Sequence, residues 1–356
     1  MKASNNKILA LFIIAVLAIP VAVAVSADES DGANTFVSYY NQLDANGKAI
    51  YDAIESADAN ATFVTVSLPI KVTAQADVSG DAEKFVSNLI EETINKAFIA
   101  LRLSSPRAFM GWLLTTTVPW GTDLTLTADT ATITTVVFPI SFVNYPVDPD
   151  TGRFQGMQKM LDDLDEAVNK FSTGSKSTRG KVADINKYLT KLITYDPNYN
   201  TDKGSVYAHE AYGALVDPQH YAVCDGYSKA FLLLCEKEKI ECVVVLGTAV
   251  ASNMENHAWN YVKMDDGEWY AIDVTWNDDS SNAYFLLGGE KFFTTHQQGV
   301  FLSTGSNPFP FNAPAINKTG YDANDTDIKE MYAWILAAIM VIVISVALYR
   351  YAKNSN

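Results

Sequence analysis

Cysteine is scarce: the 356 residues contain three, at Cys224, Cys235 and Cys242. That odd count does not suggest a disulfide scaffold and leaves at least one thiol outside any pair. No C-x2-C pair occurs either, so a zinc site built from these cysteines and His257 lacks the compact ligand spacing such sites use. Neither metal nor cofactor is expected. Basic residues are also short, with 26 Lys and Arg against 41 Asp and Glu for a formal net charge of -15. Nucleic-acid binding depends on cationic neutralisation of phosphates, so nucleic acid is not an expected partner. The acidic stretch of Asp162, Asp163, Asp165 and Glu166 has no glycine-broken loop and reads as a solvated helix face, not a calcium site. Internal repeats are absent.

Apolar residues are plentiful, at 48%, enough to bury a sizeable core and to build two modest domains. Both ends carry long apolar runs. Lys2 and Lys7 precede "ILALFIIAVLAIPVAVAV" (8–25), and Val25-Ser26-Ala27 follows with small residues before acidic Asp28 and Glu29. Residues 1–27 therefore read as a signal peptide or N-terminal membrane segment. Near the other end, residues 331–349 are uncharged and apolar. At about 1.5 Å per residue they match the roughly 30 Å hydrocarbon core of a bilayer and read as one transmembrane helix. Arg350 and Lys353 follow this run while Asp322, Asp325, Asp327 and Glu330 precede it. The positive-inside bias then puts tail 350–356 in the cytoplasm and the bulk of the chain outside. Sequons at Asn60, Asn317 and Asn324 fit that location.

Punctuation divides the remainder. Residues 28–171 read as an α+β region: two short helices within 36–57, alternating strand patterns at 62–74 and 123–142, a helix over 81–101 and an acidic-faced helix near 153–171. Residues 303–330 mix Ser, Gly, Asn and Pro and read as a stalk linker. Between them, 172–302 forms a further domain. There "KVADINKYLTKLITYD" (181–196) predicts a helix stopped at Tyr195-Asp196-Pro197. The turn after it delivers Cys224 to the start of another helix.

That placement matters chemically. A helix N-terminus presents unpaired N–H groups and the positive end of the macrodipole, both of which favour a thiolate. Cys235, on the helix body, and Cys242, opening an apolar strand, read as core residues. Cys224 itself is open to three readings: buried small hydrophobe, metal ligand or nucleophile. The stretch "NHAWNYVKMDDGEWYAIDVTWND" (256–278) predicts two strands joined at Asp265-Asp266-Gly267. If only two residues form the turn, His257 and Asp273 point to opposite faces. If three do, closed by a left-handed glycine, Asp273 pairs with Trp259 and His257 becomes its diagonal neighbour. The opposite face then carries Ala258, Val262, Ile272 and Val274, an apolar set suited to a core. A surface ion pair would produce the same pattern. His209 reads as a surface or loop residue that could approach the site, and His296 has no evident partner.

These stretches, "AYGALVDPQHYAVCDGYSKAFLLLCEKEKIECVVVLG", "NHAWNYVKMDDGEWYAIDVTWND" and "YFLLGG", resemble the transglutaminase-like superfamily, in particular extracytoplasmic members from bacteria and archaea. The resemblance spans about 181–290; upstream, "YYNQLDANGKAIYDAI" and "AFIALRLSSPRAFMGWL" look like an N-terminal extension found on such proteins. It implies an α+β, papain-like core with the nucleophile helix packed on an antiparallel sheet. It further implies a triad of Cys224 as nucleophile, His257 as general base and acid, and Asp273 as the group orienting His257. Asp225 departs from the Glu or Gln that many relatives carry before the glycine. A second oxyanion donor, beside the Cys224 backbone N–H, is expected from His220 or Tyr221. The substrates implied are amides of peptides, proteins or cell-wall polymers, with hydrolysis, deamidation or acyl transfer through a thioester. The alternative is a surface binding or scaffold module that uses the same cleft without turnover.

Overall fold

A computed structural model of the chain describes residues 38–57, 63–69, 72–75, 79–107, 121–126, 130–141, 157–250, 255–279, 282–299 and 311–322. The expected export segment, transmembrane run and cytoplasmic tail lie outside these residues, as do the sequons at Asn60 and Asn324. Among the described residues no helix is long and apolar enough to cross a membrane.

The N-terminal region begins with a 3₁₀ turn and α1 (Ala45–Glu55), whose N-cap Asp44 accepts a 2.7 Å bond from the Gly47 N–H. That bond satisfies one of the amides a helix start leaves open. Ile50, Tyr51 and Ile54 form its buried stripe, as their spacing predicts. The alternating stretch at 62–74 is two strands, β1 (Phe63–Leu68) and β2 (Val72–Gln75), which follow one another along β4 and are separated after Leu68 by Pro69, a residue with no N–H to give a ladder. After α2 (Ser79–Ser104) come β3 (Gly121–Leu126) and β4 (Thr130–Ser141), and β4 pairs antiparallel with β1, β2 and β3. α3 (Met157–Lys170) closes the region.

The second region holds the site. α4 (Thr178–Leu192) ends three residues before Tyr195, because Thr194–Tyr195 (β5) pairs in parallel with Tyr221–Ala222 (β6). Between those short strands lies α5 (Ala211–Leu215). α6 (Cys224–Lys237) then packs against an antiparallel sheet ordered β10-β7-β8-β9, built from β7 (Cys242–Ala249), β8 (Glu255–Lys263), β9 (Trp269–Ile272) and the edge strand β10 (His296–Gln298). Asn260 of β8 donates to the Ser228 carbonyl of α6 at 3.0 Å, Phe231 and Leu234 of the helix are fully buried, and Trp259 and Tyr261, equally buried, pack on Phe292. The mixed α+β architecture with an antiparallel sheet under a long helix is the one the sequence implies.

The β8–β9 connection follows the three-residue alternative. Lys263 pairs with Trp269, the Met264 N–H donates to the Glu268 carbonyl at 2.9 Å, and Gly267 sits at φ 84°. A side chain is strained at that angle, which is why glycine closes the turn. The second strand is shorter than its alternation predicts. It stops at Ile272, and Val274–Asp279 forms a helix, α7. The reason is local: the Asp273 carboxylate accepts the Trp276 N–H at 3.1 Å and so caps that helix. A chain of amides, Asn277 to Asn186 (3.0 Å) and Asn186 to Asn282 (2.8 Å), then ties α7 to α4. The last helix among the described residues is α8 (Gly289–Phe292).

Part of the expected stalk belongs to the domain instead. Residues 311–322 lie along it: Phe311 packs on Tyr39, the Asn317 N–H donates to the Trp269 carbonyl at 2.9 Å, and Tyr321 meets Tyr270 edge-on. Phe311, Ile316 and Tyr321, spaced through a polar segment and packed on the core, hold it down.

Candidate functional site

Cys224 is the first residue of α6 and is half-buried. The loop before α5 presses on this helix start. The Val223 N–H donates to the Ala208 carbonyl at 2.9 Å. A Cβ on Gly226 would lie 2.4 Å from that same oxygen, so only glycine lets the loop and the helix meet. Cys235 is fully buried beside Cys242, and desolvation raises the Cys235 thiol well above its ordinary range. Cys235 fills the core, and the partly buried Cys242 packs against it.

His257 lies in β8, and Asp273 follows β9 on the same sheet face. Their side chains meet through a 2.8 Å contact between His257 Nε2 and Asp273 Oδ2. The Cys224 side chain is near enough to the imidazole to add to its proton affinity. Because Nε2 is taken by the carboxylate, Nδ1 is the ring nitrogen left for the sulfur. Burial by itself would push the His257 pKa down, but the charge and hydrogen bond of Asp273, helped by Cys224, outweigh it and bring it up to about 10. Burial works against the Asp273 anion as well, and there His257, with His296, prevails and holds the carboxyl well below its usual range.

His296 is the residue that sequence reasoning missed. It lies in edge strand β10, where it pairs with Ala249 of β7, and its Nε2 is 3.1 Å from the same Asp273 Oδ2. The ring stacks on Phe292, with centroids 4.0 Å apart, and contacts Trp276 and Trp259 at 4.5 and 5.0 Å. Desolvation in this aromatic box lowers its pKa more than Asp273 raises it. No sequence signal links it to Asp273, because only the pairing of β10 with β7 brings them together.

His257, Asp273 and His296 offer three ligand atoms within 4.8 Å of one another. A metal would need their lone pairs aimed at a common point between them. Here both Nε2 atoms aim at the oxygen itself, within hydrogen-bond distance, and the other carboxylate oxygen holds the Trp276 N–H. The arrangement fits a hydrogen-bonded carboxylate better than a metal cage.

A second histidine–aspartate pair stands at the start of α6. Asp225 is buried and accepts the Arg102 guanidinium from α2 and His209 Nδ1, the latter at 2.8 Å. Beneath it, Lys229 and Glu210 form a fully buried pair at 2.6 Å. The departure from family pattern at Asp225 thus coincides with an ionic tie to the N-terminal region. Of the expected oxyanion donors, His220 sits at φ 49° with Nδ1 3.0 Å from the Ala214 carbonyl, and Tyr221 lies in β6 beside Thr194.

The Transglutaminase-like superfamily model matches residues 165–274, so the chain carries a domain of that superfamily over less than half of its length. No curated protein matches the chain. Among solved structures it is similar to one described as a TGase, at 16% identity and TM-score 0.28, over 44% of each chain. It is also similar to a candidate cysteine protease from Cytophaga hutchinsonii, at 12% identity and TM-score 0.27, over 51% of this chain and 65% of that one. A third is the periplasmic domain of TgpA from Pseudomonas aeruginosa bound to ethylmercury, at 17% identity and TM-score 0.23, over 46% and 67%. The chain spans less than two thirds of the length of the first two.

Proposed function

We propose that this transglutaminase-like domain is a cysteine enzyme acting on amide bonds, with Cys224 as nucleophile, His257 as general acid and base, and Asp273 as the group that orients His257. The observation that carries this reading is the position of the His257 ring, 2.8 Å from a buried carboxylate and close enough to the Cys224 side chain for the two to interact. A cation held beside the sulfur is the donor an amide's leaving nitrogen requires. The Cys224 thiolate attacks the carbonyl carbon and the π electrons move to oxygen. As the tetrahedral species collapses, the C–N bond breaks, His257 gives its proton to the departing amine or ammonia, and a thioester remains. His257, now neutral, takes a proton from water or from a second amine as that nucleophile attacks. The thioester bond breaks, and the released sulfur returns as thiolate beside the reprotonated His257. The backbone N–H of Cys224 faces the oxyanion in this scheme, with His220 or Tyr221 as the second donor.

The substrates we propose are peptide, protein or cell-wall amides met outside the membrane, with the chain anchored through 331–349 and its short tail in the cytoplasm. A membrane-impermeant tag that reaches Lys353 in intact cells, but not residues of the domain, would overturn that orientation.

The test uses the full chain with glutamine peptides, with and without an amine donor, and a thiol-directed probe. Ammonia release alone marks a hydrolase, and amine incorporation a transferase. Cys224→Ala should abolish labelling and lower turnover by at least about 10³-fold. Persistent labelling of that variant would exclude Cys224. Labelling of the wild type with no turnover on a broad amide panel would favour the binding module.

A further inference from the structure

We propose that His296 is a positioning residue that acts on His257 through their shared carboxylate, as a neutral hydrogen-bond donor that fixes Asp273 and moderates its hold on the catalytic imidazole. The inference rests on the reading of Cys224, His257 and Asp273 as a triad. It begins with the number of bonds the carboxylate receives. Oδ2 faces both His257 Nε2 at 2.8 Å and His296 Nε2 at 3.1 Å, while Oδ1 accepts the Trp276 N–H at 3.1 Å. With both oxygens engaged from three directions, the group cannot rotate about its Cβ–Cγ bond without breaking at least one of these contacts. The direction of the His257 ring is fixed with it.

The tautomer of His296 follows from its neighbours. Nε2 faces a carboxylate, so it carries the hydrogen. Nδ1 lies 2.9 Å from the Thr295 hydroxyl, whose single hydrogen can go to that lone pair or to the Phe292 carbonyl at 3.3 Å. The titratable groups facing the ring are Asp273, His257 and the phenol-bearing Tyr284, and the remaining neighbours are Phe292 of α8, Trp259 of β8 and Trp276 of α7. A second cation there would share one carboxylate with a charged His257 in a site that excludes water. That repulsion, added to burial, keeps His296 neutral. A neutral N–H on Oδ2 stabilises the anion and draws electron density from the oxygen that holds His257. The His257 proton is then bound less tightly than a lone aspartate would bind it, and is more readily given to a leaving amine.

The experiment compares His296→Phe, which keeps the stacked ring and removes the donor, with His296→Gln, which restores an N–H. In the full chain, His296→Phe should lower kcat about tenfold with KM little changed, and should move the basic limb of the pH profile upward. His296→Gln should recover most of both effects. An unmoved limb in His296→Phe, whether or not kcat falls, overturns the proposal, since a merely structural residue would produce that result. If His296→Phe does not fold, the ¹⁵N-histidine spectrum of the Cys224→Ala chain decides. A neutral His296 protonated at Nε2 between about pH 5 and 8 supports the inference, and a charged one overturns it. That spectrum needs no turnover, so an inactive wild-type chain would count against the proposed function, while the protonation state of His296 would still be read directly.

Discussion

Two histidine–aspartate pairs are built close to Cys224, and they share one separation: His257 to Asp273 and His209 to Asp225 are each 2.8 Å. Their surroundings differ. The His257 side chain is 7% exposed and that of His209 is 62% exposed. Asp273 offers its charge to two imidazoles. Asp225 is already met by the Arg102 guanidinium, with Lys229 nearby. Both histidines are raised by their carboxylates against burial, but His209 is opposed in addition by the positive charges of Arg102 and Lys229, whereas His257 reaches about 10. Separation alone does not set the proton affinity of such a pair. Competition for the carboxylate and exclusion of water do.

The comparison can be broken most sharply at Asp273. Asp273→Asn keeps an oxygen for the Trp276 N–H but removes the charge, so the His257 pKa should fall toward or below its ordinary value. Turnover should drop by about 10² to 10⁴-fold, read as kcat/KM on a glutamine peptide. A loss under tenfold would mean His257 does not depend on that carboxylate. The pH dependence of folding offers a second break. A group raised in the folded state stabilises fully below its unfolded pKa and loses that contribution as pH rises through the folded one, so the His257 contribution should fade from about 6.5 up to about 10. Asp273 is depressed, so its contribution is present above 3.8 and fades as pH falls toward its lower folded value. Chemical denaturation across pH should show both edges in the wild type and lose them in Asp273→Asn.

At the second pair, Arg102→Ala leaves buried Asp225 with His209 and a more distant Lys229. A stability loss of about 1 to 3 kcal/mol is expected, with a further rise in the His209 pKa because Arg102 opposes its protonation. Denaturant melts and histidine NMR would read these two changes. The smallest effect should be His209→Ala, with turnover within about threefold of wild type, since the exposed imidazole has no part in the proposed steps. A larger loss in a folded His209→Ala chain would give the second pair a share in the chemistry.

Local patterns in the sequence carried the parts of this site that depend on neighbours in the chain. Gly267, left-handed at the end of a three-residue turn, determined the register that puts His257 and Asp273 on one face. The alternation marked Ala258, Val262 and Ile272 as core, and the structure buries the opposite face too, with Trp259 and Tyr261 fully enclosed. Cys224 was legible as a helix start because a turn precedes it and apolar positions follow at helical spacing. The residues that escaped are held by distant pairings. His296 reaches Asp273 only through the edge contact of β10 with β7, and Arg102 reaches Asp225 across more than a hundred residues. Asp273 itself was misread as strand, because alternation continues through Val274 and a helix cap leaves no mark in a period-two pattern. Residues 311–322 looked like a linker by composition, and what holds them is the placing of Phe311, Ile316 and Tyr321.

The helix that begins with Cys224 is tethered at both ends to chain that precedes residue 172. Arg102 grips its first turn at Asp225, and the ammonium of Lys237 in its last turn donates to the carbonyls of Val168, Asn169 and Phe171. The family match, which begins at residue 165, takes in the second mooring but not the first. A fragment cut at that limit would carry a nucleophile on a helix still held at its far end and released at the end that bears the thiol.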